Sequence, residues 1–62
     1  MKMLSRKKAR RGDSVEVKMK DGERVTGYIT EWGASRLTII TDSGTRFSTH
    51  TISVYCVYSL DN

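Results

Sequence analysis

Residues 14–20 alternate strictly between apolar and polar side chains, and this pattern constrains the fold more than any other feature of the chain. Val15, Val17 and Met19 fall on one face of an extended segment, with the period of two that is typical of a half-buried strand. Asp21-Gly22 follows directly, and this dipeptide suits the positive φ of a tight hairpin turn. The pattern therefore predicts a strand, a hairpin turn and an antiparallel partner strand.

Four more segments have the composition of short strands separated by turn residues. The first of them contains Gly27, and a glycine inside a strand permits bending or the close approach of another backbone. The five strands are predicted at residues 14–20, 23–32, 36–41, 45–49 and 54–58. Five short strands with frequent turns predict an all-β fold, a small and strongly bent SH3-like barrel.

The chain is short and lacks the usual internal cross-links of small domains. It has 62 residues and a mass of 7.0 kDa, and a lone core of this size rarely supplies more than about 3–5 kcal/mol. Cys56 is the one cysteine and His50 the one histidine, so neither an internal disulfide nor a four-ligand structural zinc site is expected. We therefore expect no metal or cofactor, and we expect self-association to supply stability.

Basic residues are concentrated at the N-terminus. Six of the eleven lysines and arginines lie in residues 1–11 and all seven acidic residues follow, so this segment carries +6 and residues 12–62 carry −2. The six are Lys2, Arg6, Lys7, Lys8, Arg10 and Arg11. The asymmetry predicts a basic arm or short helix over 1–12 that meets a phosphate backbone, attached to a barrel over 13–62. A solvated end that aids solubility is the alternative.

No feature of the sequence indicates catalysis or membrane insertion. Without paired cysteines, a carboxylate cluster or Ser-His-Asp spacing, we expect no enzymatic activity. The uncharged stretches are far shorter than the roughly 18–20 apolar residues of a membrane span, and no apolar segment follows the first four residues as it would in a secretory leader. A cytoplasmic protein without a membrane partner is the expectation.

The glycines and apolar residues of the first two strands resemble a known motif. The pattern Val15-x-Val17-x-Met19-x-x-Gly22-x-x-Val25-x-Gly27-x-Ile29-x-x-Trp32 is similar to the first motif of the Sm-like family, which includes the Hfq-type proteins. A later segment resembles the Hfq-type second motif and has the matching spacing: Thr49-His50-Thr51-Ile52-Ser53-Val54. The resemblance covers about residues 14–58.

This resemblance implies both an assembly and an activity. Sm-like proteins are five-stranded bent barrels that bind RNA and close into rings, the fourth strand of one subunit pairing with the fifth strand of the next. For this chain the resemblance implies a homo-oligomeric ring with RNA as its partner and the role of an RNA chaperone or regulator. The implied subunit interface contains Phe47, Val54, Tyr55, Cys56 and Tyr58.

The RNA pocket implied by the resemblance is atypical. After the position of Trp32, the family motif continues with Asp, a variable residue, a base-stacking residue, an apolar residue and Asn, whereas this chain reads Gly33-Ala34-Ser35-Arg36-Leu37. RNA contacts are therefore predicted at His50, which matches a pore-side contact of the family, at Arg36, at Tyr28 and at the basic residues of the arm. The alternatives are packing for Tyr28, simple solvation for Arg36 and Arg46, and a backbone-bonded turn for His50.

Two other functions fit the same sequence. An SH3-like protein-interaction or assembly module, of the kind carried by a phage or mobile element, would explain the atypical RNA pocket and the acidic body. A KOW-type domain of the transcription or ribosomal apparatus shares Gly12-Asp13-x-Val15 and the later glycines, and it would bind nucleic acid as a monomer. The mass in solution separates the ring from both.

Overall fold

The fold is one antiparallel β-sheet of six strands. A computed structural model describes residues 2–60, so Met1 and the last two residues of the predicted barrel range lie outside the described residues. The strands are β1 (Lys2–Met3), β2 (Ser14–Met19), β3 (Arg24–Trp32), β4 (Arg36–Thr41), β5 (Arg46–His50) and β6 (Val54–Ser59). A single 3₁₀ turn, Thr51–Ser53, joins β5 to β6. Residues 2–60 contain no helix long and apolar enough to cross a membrane.

The predicted all-β class is confirmed, and the five predicted strands lie within a residue or two of the observed β2 to β6. The number of strands was wrong because β1 adds a sixth. The order across the sheet is β1-β6-β2-β3-β4-β5. No pairing returns from β5 to β1 within residues 2–60, so the sheet is open and does not close into a barrel.

The N-terminal segment differs from the expected short helix or disordered arm. Lys2 and Met3 pair with the outer edge of β6, and the Leu4 amide donates to the Val57 carbonyl at 2.7 Å. Leu4 and Ala9 then pack against the core. An unpaired strand edge offers backbone donors and acceptors to any extended segment, which is why two residues without alternation form a strand here.

The core lies on one face of the central strands. Val15 and Val17 of β2 are fully buried, and the register places Val17 opposite Val25 on one side and Val57 on the other. The hairpin predicted at Asp21-Gly22 is confirmed, with Gly22 at φ 94° and its amide donating to the Met19 carbonyl at 3.0 Å. The period-two alternation of β2 therefore translates directly into core packing.

Gly27 is the point of closest backbone approach in the sheet. It lies in the middle of β3, opposite Val15 on one side and Thr41 on the other. A Cβ at this position would overlap the carbonyl oxygen of Ile40 and lie 2.8 Å from the Cα of Thr41. The expectation that Gly27 permits a close approach is confirmed, and the neighbour is the backbone of β4.

Candidate nucleic-acid interface

The β4–β5 hairpin places two predicted RNA-binding residues side by side. Arg36 at the start of β4 lies directly opposite His50 at the end of β5. Directly opposed residues of an antiparallel pair point to the same face of the sheet. Both side chains are exposed, so one guanidinium and one imidazole share the solvent-facing surface at this end of the hairpin.

The third predicted contact, Tyr28, lies on the same face one strand away. The register aligns Tyr28 of β3 with Ile40 of β4, and Ile40 with Arg46 of β5. Tyr28 is 46% exposed, unusual for a large aromatic side chain in a central strand, and Arg46 is exposed as well. We name the surface formed by Tyr28, Arg36, Arg46 and His50 the outer face. It combines one tyrosine ring with two arginines and a histidine, and aromatic and basic groups together bind the bases and phosphates of single strands.

Hydroxyl groups between these residues hold the outer face in place. An Arg36 Nη1 donates to the Ser48 Oγ at 3.0 Å, and the Ser48 and Thr38 hydroxyls share a hydrogen bond of 3.1 Å. Thr38 is only 2% exposed. From β3, the Thr30 Oγ1 donates to the Thr38 carbonyl at 3.2 Å. The guanidinium of Arg36 is thereby oriented through one of its five donors.

The turn residues on either side of Arg36 and His50 are also tied together. The Gly33 amide donates to the Arg36 carbonyl at 2.9 Å. Across the turn, the Thr51 amide donates to the Ser35 carbonyl and the Thr51 Oγ1 donates to the Ala34 carbonyl, each at 3.0 Å. These bonds connect the β3–β4 turn to the 3₁₀ turn that follows β5. The spacing between Arg36 and His50 is therefore fixed by these hydrogen bonds between the two turns as well as by the pairing of β4 with β5.

His50 has an imidazole that is available to a ligand. It occupies the N-cap position of the 3₁₀ turn with extended backbone, φ −72° and ψ 140°, and its side chain makes no capping hydrogen bond. The alternative, in which the His50 side chain bonds to the backbone of its own turn, is therefore wrong for a capping hydrogen bond at the N-cap position. Neutral imidazole both donates and accepts a hydrogen bond, so His50 could contact a base edge or a phosphate.

The basic N-terminal residues are exposed but attached to the sheet. Lys2 lies in β1, and Arg6, Lys7, Lys8, Arg10 and Arg11 follow in turns. The Gly12 amide donates to the Ile29 carbonyl at 2.7 Å, which anchors the end of this segment beside β3. Their charge therefore has a defined position on the surface. Thr30 lies between this segment and the outer face, because it lines a cleft with Arg6 and bonds to Thr38.

The five predicted interface residues occupy different environments. Phe47 and Val54 are half-buried and pack against the core, and Cys56 is buried with a free thiol. Tyr58 is half-buried, and a side-chain hydrogen bond with Cys56 raises the pKa of the Tyr58 phenol. Tyr55 is 65% exposed, with the Lys18 Nζ 5.5 Å from its ring centroid. Tyr55 is the member of this set that offers the most surface to a neighbouring subunit.

The sequence did not indicate that Thr38 and Ser48 help to orient the Arg36 side chain. Their connection to Arg36 depends on the β4–β5 register, which is a non-local property. A signal was nevertheless present, since Arg46, Ser48 and His50 alternate within β5 and so share a face. Within residues 2–60, no group of three or more His, Cys, Asp or Glu side chains is arranged to hold a metal ion.

Comparisons of the chain with protein-family models, with curated proteins and with solved structures find no match. Function therefore has to be inferred from the geometry and chemistry of the outer face and of the basic segment beside it.

Proposed function

We propose that this protein is a non-enzymatic, Sm-like RNA-binding protein that contacts single-stranded RNA through the outer face and the basic N-terminal segment. The observation that carries the proposal is the placement of Tyr28, Arg36, Arg46 and His50 on one face of the sheet, with all four side chains exposed. Aromatic rings stack on bases of any sequence, and arginines bind phosphates or stack in turn. Affinity should therefore be substantial and base preference on this face weak, as suits an RNA chaperone or regulator.

The electrostatics of the chain support the same proposal. The net charge is +4, and the outer face adds Arg36 and Arg46 to the six basic residues of the N-terminal segment. Binding that neutralises phosphates releases counterions, so affinity should fall steeply with salt. Each base stacked on Tyr28 is expected to contribute about 1–3 kcal/mol.

The test compares charge-matched pairs of arginine and lysine substitutions. Arg36→Gln with Arg46→Gln removes both outer-face charges, whereas Lys20→Gln with Arg24→Gln removes two exposed charges near the β2–β3 turn. Affinity for a fluorescent ten-nucleotide RNA is measured by anisotropy at several salt concentrations. We expect the outer-face pair to lose at least about tenfold more affinity than the control pair. Equal losses would mean that only net charge matters and would refute the assignment of the outer face.

Self-association is the second part of the proposal. The outer edge of β5 has no strand partner within residues 2–60, while β1 covers the other edge of the sheet only from Val57 to Ser59. The Val54–Cys56 part of that edge could accept β5 of another copy, which continues the sheet from subunit to subunit as in a strongly bent Sm-like ring. The mass in solution measured by light scattering should be a multiple of the 7.0 kDa of one chain. Tyr55→Glu should lower the measured mass of the assembly. A wild-type monomer would refute the ring.

A protein-interaction module of the SH3-like kind is the second candidate, favoured by one observation. A groove of about 240 Å³ lies between the N-terminal segment and β6, and its apolar lining includes Met3, Leu4, Trp32 and Tyr55. Met3 and Tyr55 are strongly exposed. A monomer that fails to retain RNA at low salt would favour this function over the RNA-binding ring.

A further inference from the structure

The exposed apolar side chains of the protein are concentrated at β6 and its immediate neighbours. Among residues 2–60, five large apolar side chains are exposed, and Tyr28 is the one that lies elsewhere in the sheet. The other four are Met3 in β1, Ile52 in the 3₁₀ turn, Tyr55 in β6 and Leu60 directly after β6. Met3, Ile52 and Tyr55 are each at least 65% exposed. Apolar surface that is concentrated in one region indicates contact with a partner.

The outer edge of β6 is paired over only three of its six residues. β1 lies opposite Tyr58 and Ser59, and the Leu4 amide donates to the Val57 carbonyl at 2.7 Å. The ladder then ends, and no strand of residues 2–60 pairs with this edge at residues 54–56. An unpaired strand edge offers a row of backbone donors and acceptors to an extended segment.

An uncharged groove lies beside the unpaired part of this edge. It is the groove of about 240 Å³ between the N-terminal segment and β6, and β6 contributes residues 54–57 to it. Leu4, Trp32 and Thr51 are among the residues that complete its lining, and none of the lining residues is charged. A strand that pairs with residues 54–56 would lie along this groove and bury apolar surface.

β5 of a second copy has the properties of a strand that fits this edge. Its own outer edge has no strand partner within residues 2–60, and its five residues are close in number to the six of β6. Phe47 and Thr49 are half-buried and the other three residues are exposed, so β5 can extend a sheet while its two faces keep their environments. The chain contains no proline, so every residue of both edges can donate to a ladder.

The N-terminal strand restricts how much of the β6 edge β5 can use. While β1 is paired, residues 54–56 are available, and a second copy can pair over three residues. If β1 detaches, residues 54–59 are available, and all five residues of β5 can pair. Each additional backbone hydrogen bond strengthens association by roughly two- to twelvefold, so the state of β1 has a large effect on affinity.

β1 has few contacts that oppose its detachment. It consists of two residues, and both are exposed. Segments with little buried apolar surface open locally at a small free-energy cost. Leu4 and Ala9 pack against the core, so the segment that follows β1 stays in place when β1 opens. Very short edge strands and lysine are also the means by which natural sheets prevent pairing between edges, and β1 combines both in Lys2–Met3.

We propose that β1 is an edge guard, which competes with β5 of a second copy for residues 57–59 of β6 and thereby limits self-association. The inference rests on the self-association part of the proposed function and adds the element that controls it. A change that detaches β1 should promote assembly, and a change that fixes β1 to β6 should oppose assembly.

Leu4→Pro opens the edge guard, and Leu4→Ala is its matched control. Both variants lose the leucine side chain, but only proline also removes the amide that donates to the Val57 carbonyl. Light scattering over a wide dilution series gives the concentration at which each full chain assembles, and circular dichroism verifies that each is folded. We expect Leu4→Pro to assemble at a concentration at least about threefold lower than Leu4→Ala. Equal or weaker assembly of Leu4→Pro would overturn the edge guard.

A disulfide between β1 and β6 tests the edge guard in the opposite direction. Lys2→Cys and Ser59→Cys place cysteines at directly opposed positions, where the Cα separation of an antiparallel pair suits a disulfide. Cys56→Ala in the same chain removes the native thiol. The oxidised form should assemble at a concentration at least about threefold higher than the reduced form of the same protein. Identical assembly of the two forms would overturn the proposal.

The mass of the assembly identifies the partner strand and separates this proposal from the proposed function. Pairing of β5 with β6 runs head to tail and continues beyond two copies, whereas pairing of two β6 edges stops at a dimer and would overturn β5 as the partner. A monomeric wild type with an assembling Leu4→Pro would refute the wild-type ring and support the edge guard. A wild-type assembly that neither variant changes would keep the ring and refute the edge guard. Monomers throughout would refute both, while RNA anisotropy tests the outer face independently.

Discussion

Gly27→Ala should be among the most damaging single-methyl changes that this chain can undergo. The added Cβ would overlap the Ile40 carbonyl oxygen and lie 2.8 Å from the Cα of Thr41. Both atoms belong to the backbone of β4, so no side-chain rotation relieves the overlap. Relief requires β3 and β4 to move apart, which weakens the ladder that also carries the outer face.

The expected magnitude follows from the kind of overlap. Overpacking of a core typically costs about 1–3 kcal/mol, and a clash with backbone should lie at the upper end, at about 3 kcal/mol. A domain of this size melts roughly 4–8 °C lower for each kcal/mol lost, so the melting temperature should fall by about 12–24 °C. Because a lone core supplies only about 3–5 kcal/mol, a substantial unfolded population is expected at 37 °C.

Circular dichroism melting curves of three proteins test this reasoning. Gly33→Ala is the matched control because a Cβ there meets only the Arg36 carbonyl oxygen at 3.9 Å, an ordinary contact. It should leave stability unchanged within about 0.5 kcal/mol. A Gly27→Ala protein that melts within a few degrees of the Gly33→Ala protein would refute the close approach of β3 and β4.

Three further outcomes are expected. Lys7→Gln with Lys8→Gln should reduce the slope of log affinity against log salt for single-stranded RNA by about 1.4, and an unchanged slope would exclude both lysines from the interface. Ser48→Ala should destabilise the fold by about 0.5–1.5 kcal/mol in urea denaturation, because the buried Thr38 hydroxyl loses a partner. The contact with Cys56 raises the pKa of Tyr58 above its ordinary value of 10.0. The stability that this contact supplies is therefore fully present below pH 10 and is lost as the pH rises through the raised pKa. In Cys56→Ala, one tyrosine should therefore ionise at lower pH in a titration followed by ultraviolet absorbance.

Local patterns carried the information for β2 to β6. Alternation at Val15, Val17 and Met19 predicts a half-buried strand because side chains of an extended chain point alternately to two faces. The turn at Asp21-Gly22 follows from the backbone freedom of glycine at positive φ. Both properties depend on residues a few positions apart, so strand positions could be obtained from the sequence within a residue or two.

The candidate site was predictable residue by residue but not as a surface. Tyr28, Arg36 and His50 were predicted as contacts from the sequence. No short sequence pattern, however, indicates that Arg36 lies opposite His50, or that Tyr28 and Arg46 lie on either side of Ile40 in the sheet. Strand register between distant segments decides these neighbours. A slip of one residue would send the same side chains to the other face.

The sequence by itself determined which segments are strands, where they turn and where the charge is concentrated. Only the tertiary structure decided that Lys2–Met3 forms β1, that the sheet stays open and that the N-terminal segment lines a cleft beside the end of β3. The physical reason is that extended conformation and turn formation are encoded in neighbouring residues, whereas an edge, a register and a cleft exist only once segments far apart in the chain have paired.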